Sequence, residues 1–229
     1  MHVVVTRPAP GATAAKWRGR GVTVTVAPLM AIGTLAWTAP EAVPEAVAFT
    51  SANGVRLAGP VADAYRGLPA FAVGTVTAAA ARAAGWTDVR DGGGTAAALF
   101  AAVAAAGFVT LLHLAGVDRV AAAIPAGLTV EVREVYAATL VPLPGHVATL
   151  LDDGKVDAVL LYSARAARHF ARQVDSLHIA RGGVGIVALS AAVASAAGDG
   201  WRGVGVAASP DDDALFAAAT ALCEKPRKG

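Results

Sequence analysis

The sequence predicts an α/β protein built from two parallel-sheet lobes, one inserted in the other and joined by a two-strand hinge. Three observations carry this prediction: strand-like and helical runs alternate, the strand runs are continuously apolar, and one stretch of sequence recurs about 115 residues further on. Alternation of the two periods implies strands connected by helices, and strands with no polar face imply a sheet covered on both sides, the usual setting of parallel strands. A chain of 229 residues accommodates two lobes of roughly 100 residues each, a common domain size.

The spacing predicts strands over residues 2–6, 23–26, 46–50, 70–73, 109–114, 158–162, 185–188 and 203–206. Helices are predicted over 75–84, 95–106, 164–174, 190–197 and 211–222. Residues 92–117 carry no formal charge and are long enough for a helix to span a bilayer core of ~30 Å. Alanine favours insertion weakly, however, Gly107 divides the segment and residues 109–114 are strand-like, so it reads as a helix followed by a buried strand.

The repeat is internal. AVAFTSANGV from Ala46 is echoed by AVLLYSARAA from Ala158, the Gly85-Trp86 pair by Gly200-Trp201, and Ala98-Leu99-Phe100 by Ala214-Leu215-Phe216. Order and spacing are kept, which argues for duplication and hence for two like, flavodoxin-like lobes. Residues 1–26 have no tandem partner just before Ala158. The first lobe is therefore expected to be discontinuous, residues 1–31 plus 143–229, with residues 34–134 inserted as the second. The hinge strands fall at about 28–35 and 130–141.

Composition excludes several classes. A net charge of +2, with no dense basic tract outside the tail Lys225–Lys228, is too small for a nucleic-acid protein. Cys223 has no second cysteine to pair with, and the opening MHVVVTRP reads as a first strand and not as a signal peptide, so a reducing cytoplasm is expected. His2, His113, His146, His169 and His178 show no paired metal spacing, and there is no Gly-x-Ser-x-Gly elbow. Metal and acyl-enzyme chemistry are not expected. Gly198 to Gly203 matches the dinucleotide fingerprint but follows a helix and precedes a strand, the reverse of the required order.

The candidate site residues sit at strand-to-helix turns, where open α/β sheets bind ligands. Thr6-Arg7-Pro8 follows the first strand; Arg7 offers a planar fork to a carboxylate or pairs with a nearby acid. Thr50-Ser51-Ala52-Asn53 joins a strand to a helix, and Ser51 or Asn53 can cap that helix while free backbone N–H groups meet an anion. Ser163 is the repeat partner of this turn. Gly74 permits close backbone approach at the next turn, with Thr77 reaching outward from the helix, and Leu189, Ser190 and Ala192 as the equivalents in the other lobe. Gly116 and Arg119 form either a further binding edge or a plain turn. Tyr136 lies on the crossing strand and projects between the lobes or packs within its sheet. Gly92-Gly93-Gly94-Thr95 lacks a phosphate-loop lysine and reads as a turn with Thr95 as cap.

The ordered set Thr6-Arg7-Pro8, Pro28, Phe49 to Val55, Val73-Gly74 with Thr77-Ala78, Leu114-Ala115-Gly116 with Arg119, Tyr136, Tyr162-Ser163 and Pro210 resembles the uroporphyrinogen-III synthase family over almost the whole chain. The resemblance implies conversion of hydroxymethylbilane, a linear tetrapyrrole with eight carboxylates, into uroporphyrinogen III with ring D inverted through a spiro intermediate. It implies no cofactor, no nucleic-acid or membrane partner, and transient contact with neighbouring enzymes of tetrapyrrole biosynthesis. By residue match it makes Tyr136 the group assisting departure of the hydroxyl, and Ser51, Thr77, Ser163 and Ser190 binding groups. Two departures stand out: Leu189-Ser190-Ala191-Ala192 replaces a Gly-Pro-Thr-Thr turn, and the Ala115-Gly116 turn itself holds no arginine. A noncatalytic bilobed protein binding a small anion is the alternative, and a nucleotide-dependent enzyme stands third.

Overall fold

The computed structural model describes residues 1–224, so the basic tail Lys225–Lys228 lies outside the described residues. Along the chain the elements are β1 (His2–Val5), α1 (Gly11–Arg18), β2 (Thr23–Val26), β3 (Met30–Thr34), β4 (Ala46–Phe49), α2 (Ala52–Arg56), β5 (Ala70–Ala72), α3 (Thr75–Ala83), β6 (Val89–Asp91), α4 (Ala96–Ala105), β7 (Thr110–Gly116), β8 (Thr129–Leu140), α5 (Gly145–Asp152), β9 (Ala158–Leu161), α6 (Ala164–Ser176), β10 (Gly185–Ala188), α7 (Ala191–Ala197), β11 (Gly203–Val206) and α8 (Asp212–Glu224). The chain divides into two compact units, one formed by residues up to Ala31 and from Thr139 onward, the other by Ile32–Ala138.

Unit 1 holds a five-stranded sheet in the order β2-β1-β9-β10-β11, all neighbours parallel, with Val4 opposite both Thr25 and Val159. Counted within the unit, this is the 2-1-3-4-5 order of flavodoxin-like sheets. Side chains alternate between two buried layers, as the period of a strand requires. Val4, Val159, Leu161 and Ile186 pack with Val147, Phe170 and Val193 from α5, α6 and α7. Val3, Val5, Leu160 and Val187 pack with Trp17 of α1 and Leu215 of α8. Full burial of a side chain such as Phe170 stabilises by roughly 1.5–3 kcal/mol, which is why β1, β9 and β10 have no polar face.

Unit 2 holds the sheet β3-β8-β7-β4-β5-β6, parallel from β8 through β6. Val47, Phe49, Leu112 and Leu114 face α2 and α3, with Phe49 edge-on to Trp86 at 5.0 Å. Ala46, Ala48, Phe71 and Leu111 face Leu99, Phe100 and Val103 of α4. A Cβ on Gly54 would lie 2.6 Å from the Leu114 carbonyl oxygen, so glycine there lets α2 pack directly on β7.

The two sheets share one plan when unit 1 is read from β9. Unit 1 then runs β9, β10, β11, β1, β2 and unit 2 runs β4, β5, β6, β7, β8; in both, the third strand is at one edge and the order is 3-2-1-4-5. The counterpart of the N-terminal segment is therefore β7–β8, which explains why residues 1–26 have no partner before Ala158. Ser51 and Ser163 cap α2 and α6 with nearly the same backbone, φ −157° and ψ 144° against φ −148° and ψ 151°.

Several elements differ from expectation. β6 has only three residues, Val-Arg-Asp, and shows no apolar run; α1 and α5 are eight-residue helices too short for a clear period. The units part after Ala31 and Ala138, inside β3 and β8. The uncharged stretch is α4 followed by β7, and among the described residues no helix is long and apolar enough to cross a membrane.

Candidate functional site

In unit 2 the chain leaves β4 toward β5 on one side and leaves β7 toward β8 on the other, so the strand order reverses between β4 and β7. Loops diverging from two adjacent strand ends open a crevice, and ligands of open α/β sheets bind there. A cavity of about 420 Å³ occupies this place. Its wall carries Thr50 and Ser51 after β4, His113 and Gly116 of β7, Arg119 in the loop beyond, Tyr136 of β8 and the start of α4 at Gly94-Thr95-Ala96. Five of the expected residues thus come together in one unit: Thr50, Ser51, Gly116, Arg119 and Tyr136.

Tyr136 pairs with Gly116 across β7 and β8 at a register shift between Ala115 and Gly116. The shift ends the regular ladder and re-aims the side chain, a common use of bulges near sites. The phenol is partly buried against the α2/α3 side of the core, and its hydroxyl has no hydrogen-bond partner among the described residues. Arg119 Nη1 donates to Glu134 Oε1 at 2.6 Å and to the Gly116 carbonyl at 3.3 Å, which ties the cation to the rim beside Tyr136.

Thr50 Oγ1 lies 2.9 Å from His113 Nε2. His113 is 4% exposed and its ring meets Phe100 edge-on at 5.5 Å. Burial, reinforced by the positive charge of Arg119, pushes its pKa down to about 4, so the imidazole is neutral at pH 7. Ser51 accepts from the Asn53 N–H at 3.2 Å and Thr95 from the Ala98 N–H at 3.1 Å, so both act as caps at the cavity wall. Sequence reasoning passed over His113, whose only signal was a histidine inside the apolar run Leu111 to Ala115.

Asn53, Gly74 and Thr77 do not line this cavity. Gly74 caps α3 in an extended conformation with open space where a Cβ would stand. Thr77 does not reach outward: it is 5% exposed. Aligned on the caps Gly74 and Ser190, it corresponds to Val193 and not to Ala192, and Val193 is also buried at 6%. Position three of both helices is a core position, so the Thr77 side chain turns inward.

In unit 1 the equivalent reversal lies between β1 and β9. Thr6 is buried, and its hydroxyl donates to the Leu160 carbonyl at 2.5 Å, joining the strand ends; the side chain is not offered to a ligand as expected. Arg7 donates to Thr13 at 3.0 Å, pairs with Asp212 at 3.5 Å and stands 5.2 Å over the Tyr162 ring. Both open readings of Arg7 meet here, since it is paired yet 41% exposed. Burial, with Asp212 adding and Arg7 opposing, raises the Tyr162 pKa. Ser163 caps α6 through Ala166 at 3.2 Å, and Ser190 caps α7 through Val193 at 3.4 Å. Among the described residues no three His, Cys, Asp or Glu side chains gather in a way that could hold a metal ion.

Residues 11–217 match the family described as Uroporphyrinogen-III synthase HemD. Comparison with curated proteins finds no match. Among solved structures, the chain is similar to uroporphyrinogen-III synthetase from Helicobacter pylori at 16% identity and a TM-score of 0.63, over 96% of this chain and 99% of that one. It is also similar to a mutant uroporphyrinogen III synthase from Thermus thermophilus at 16% identity and a TM-score of 0.51, over 99% and 100% of the two chains. At these identities the structures speak for the fold, and the family match spans most of the sequence. The chain belongs to the uroporphyrinogen-III synthase family.

Proposed function

We propose that the protein closes hydroxymethylbilane to uroporphyrinogen III and that the unit 2 cavity is where the reacting end of the substrate is handled. The observation that carries this reading is the convergence of Tyr136, Thr50, Ser51 and Arg119 on one sheet-edge cavity in a chain of this family. The alternative of a noncatalytic anion-binding protein is not favoured.

The chemistry asks little covalent work of the protein. The hydroxymethyl C–O bond breaks with the electron push of its pyrrole, the pyrrole N–H proton is lost and the oxygen leaves as water, giving an azafulvene. The substituted carbon of ring D then attacks to form a spiro intermediate, and cleavage and reclosure invert that ring. Tyr136, whose hydroxyl has no hydrogen-bond partner among the described residues, donates a hydrogen bond to the departing oxygen. Thr50, Ser51 and the Arg119 guanidinium hold carboxylates and so fix which carbon attacks, a proximity effect. The N-terminus of α4 at Gly94 to Ala96 adds a positive dipole end at the same wall. Arg7, Ser163, Ser190, Asn53 and the backbone at Gly74 are proposed as contacts for further carboxylates, and strands β3 and β8 as the hinge. We place the enzyme in the cytoplasm, in transient contact with its pathway neighbours. Added to freshly generated hydroxymethylbilane, the protein should consume it faster than spontaneous closure does; an unchanged rate of loss refutes the reading.

A further inference from the structure

We propose that His113 is a positioning residue for the reaction, its Nε2 holding the Thr50 hydroxyl in one orientation at the cavity wall, where that hydroxyl meets a polar group of the substrate. The inference rests on the function proposed above.

β7 is otherwise apolar and buried from Leu111 to Ala115. An imidazole in such a strand costs desolvation unless its nitrogen is bonded, whereas an apolar ring of similar size would keep the edge-on contact with Phe100 at no such cost. Packing alone does not call for histidine. What the nitrogen does is reach Thr50 Oγ1 at 2.9 Å, across from β7 to the end of β4. Thr50 stands one residue beyond the last ladder position of β4 and lines the cavity. A hydroxyl carries one proton and two lone pairs and rotates to suit its partners. One bond to a ring held by its strand and by Phe100 removes that freedom, and the remaining capacity is directed toward the open side. In either tautomer of the neutral ring the hydroxyl keeps a group for the substrate: its proton for a carboxylate, or a lone pair for a pyrrole N–H. His113 brings no charge, so its contribution is orientation.

The test is steady-state kinetics with hydroxymethylbilane, alongside thermal unfolding, for His113→Phe, His113→Gln, Thr50→Val and the double variant His113→Phe/Thr50→Val. Phe and Val are each expected to raise KM about 10-fold with kcat within about twofold, the signature of lost binding felt equally in ground and transition states. The double variant is expected to be no worse than either single one, since both remove one coupled unit. His113→Gln, whose amide can stand in for Nε2, should return KM to within about threefold of wild type. An unchanged KM in His113→Phe with only a lower melting temperature, or additive losses in the double variant, overturns the proposal. If His113→Phe does not fold, His113→Gln and Thr50→Val decide: a raised KM only in Val supports it, and wild-type KM in both overturns it. A wild-type protein that makes no type III product would instead refute the functional reading.

Discussion

The phenol of Tyr136 occupies the space beside Gly116 where a side chain would otherwise begin: a Cβ there would stand 2.5 Å from Cζ and 2.8 Å from the hydroxyl oxygen. The glycine that the sequence left open as a binding edge or a plain turn is the platform on which the aromatic ring rests. Gly116→Ala should therefore push the ring away from its position, since contacts below 3.0 Å force something to move. We expect turnover to fall by about 10-fold or more, in line with the sensitivity of catalysis to displacements on the order of 1 Å. Kinetics together with a crystal structure of the variant would check both the loss and its cause.

Removing only the hydroxyl separates the ring from its chemistry. Tyr136→Phe keeps the packing against the core and is expected to lower kcat by about 10-fold to 100-fold, at the modest end of acid–base effects. The melting temperature should stay close to that of the wild type. Unchanged turnover would remove Tyr136 from the mechanism.

His113 also leaves a mark on stability. Its folded pKa of about 4 lies below the usual 6.5, so the unfolded chain binds more protons between those values. Stability from this group is complete above pH 6.5 and is lost as pH falls toward 4. Between pH 7 and pH 5 the wild type should lose about 2 kcal/mol more than His113→Phe does. Urea unfolding of the two proteins at both pH values measures the difference; parallel losses would contradict it.

Arg119 and Glu134 form an exposed pair, with side chains 36% and 45% accessible, and such pairs contribute little to stability. Arg119→Met should change the unfolding free energy by less than about 1 kcal/mol. If the guanidinium receives a substrate carboxylate, KM should rise and the rise should shrink as salt is added. Kinetics at two ionic strengths would show it.

What was legible in the sequence follows from what is local. The almost wholly apolar strands around Val3, Val47, Leu112 and Leu160 announce a sheet buried on both faces, and the Ser51 and Ser163 turns announce their helices because a cap lies within three residues of what it bonds. β6 was invisible because its Val-Arg-Asp strand has no pattern to detect. Thr77 was misplaced because nothing in its turn signals that the third position of α3 faces the core, as Val193 does at the same position of α7. The bond between Thr50 and His113 spans 63 residues, and only the fold brings β4 and β7 side by side to form it. Gly116 and Tyr136 were each singled out, but their contact depends on a register shift that no spacing encodes.

The isomer composition of the product tests the central claim most directly. Purified protein, supplied with hydroxymethylbilane generated in place, is predicted to yield uroporphyrinogen with ring D inverted, so that after oxidation chromatography resolves the type III isomer as the main product. Type I isomer alone, the product of spontaneous closure, would contradict the account.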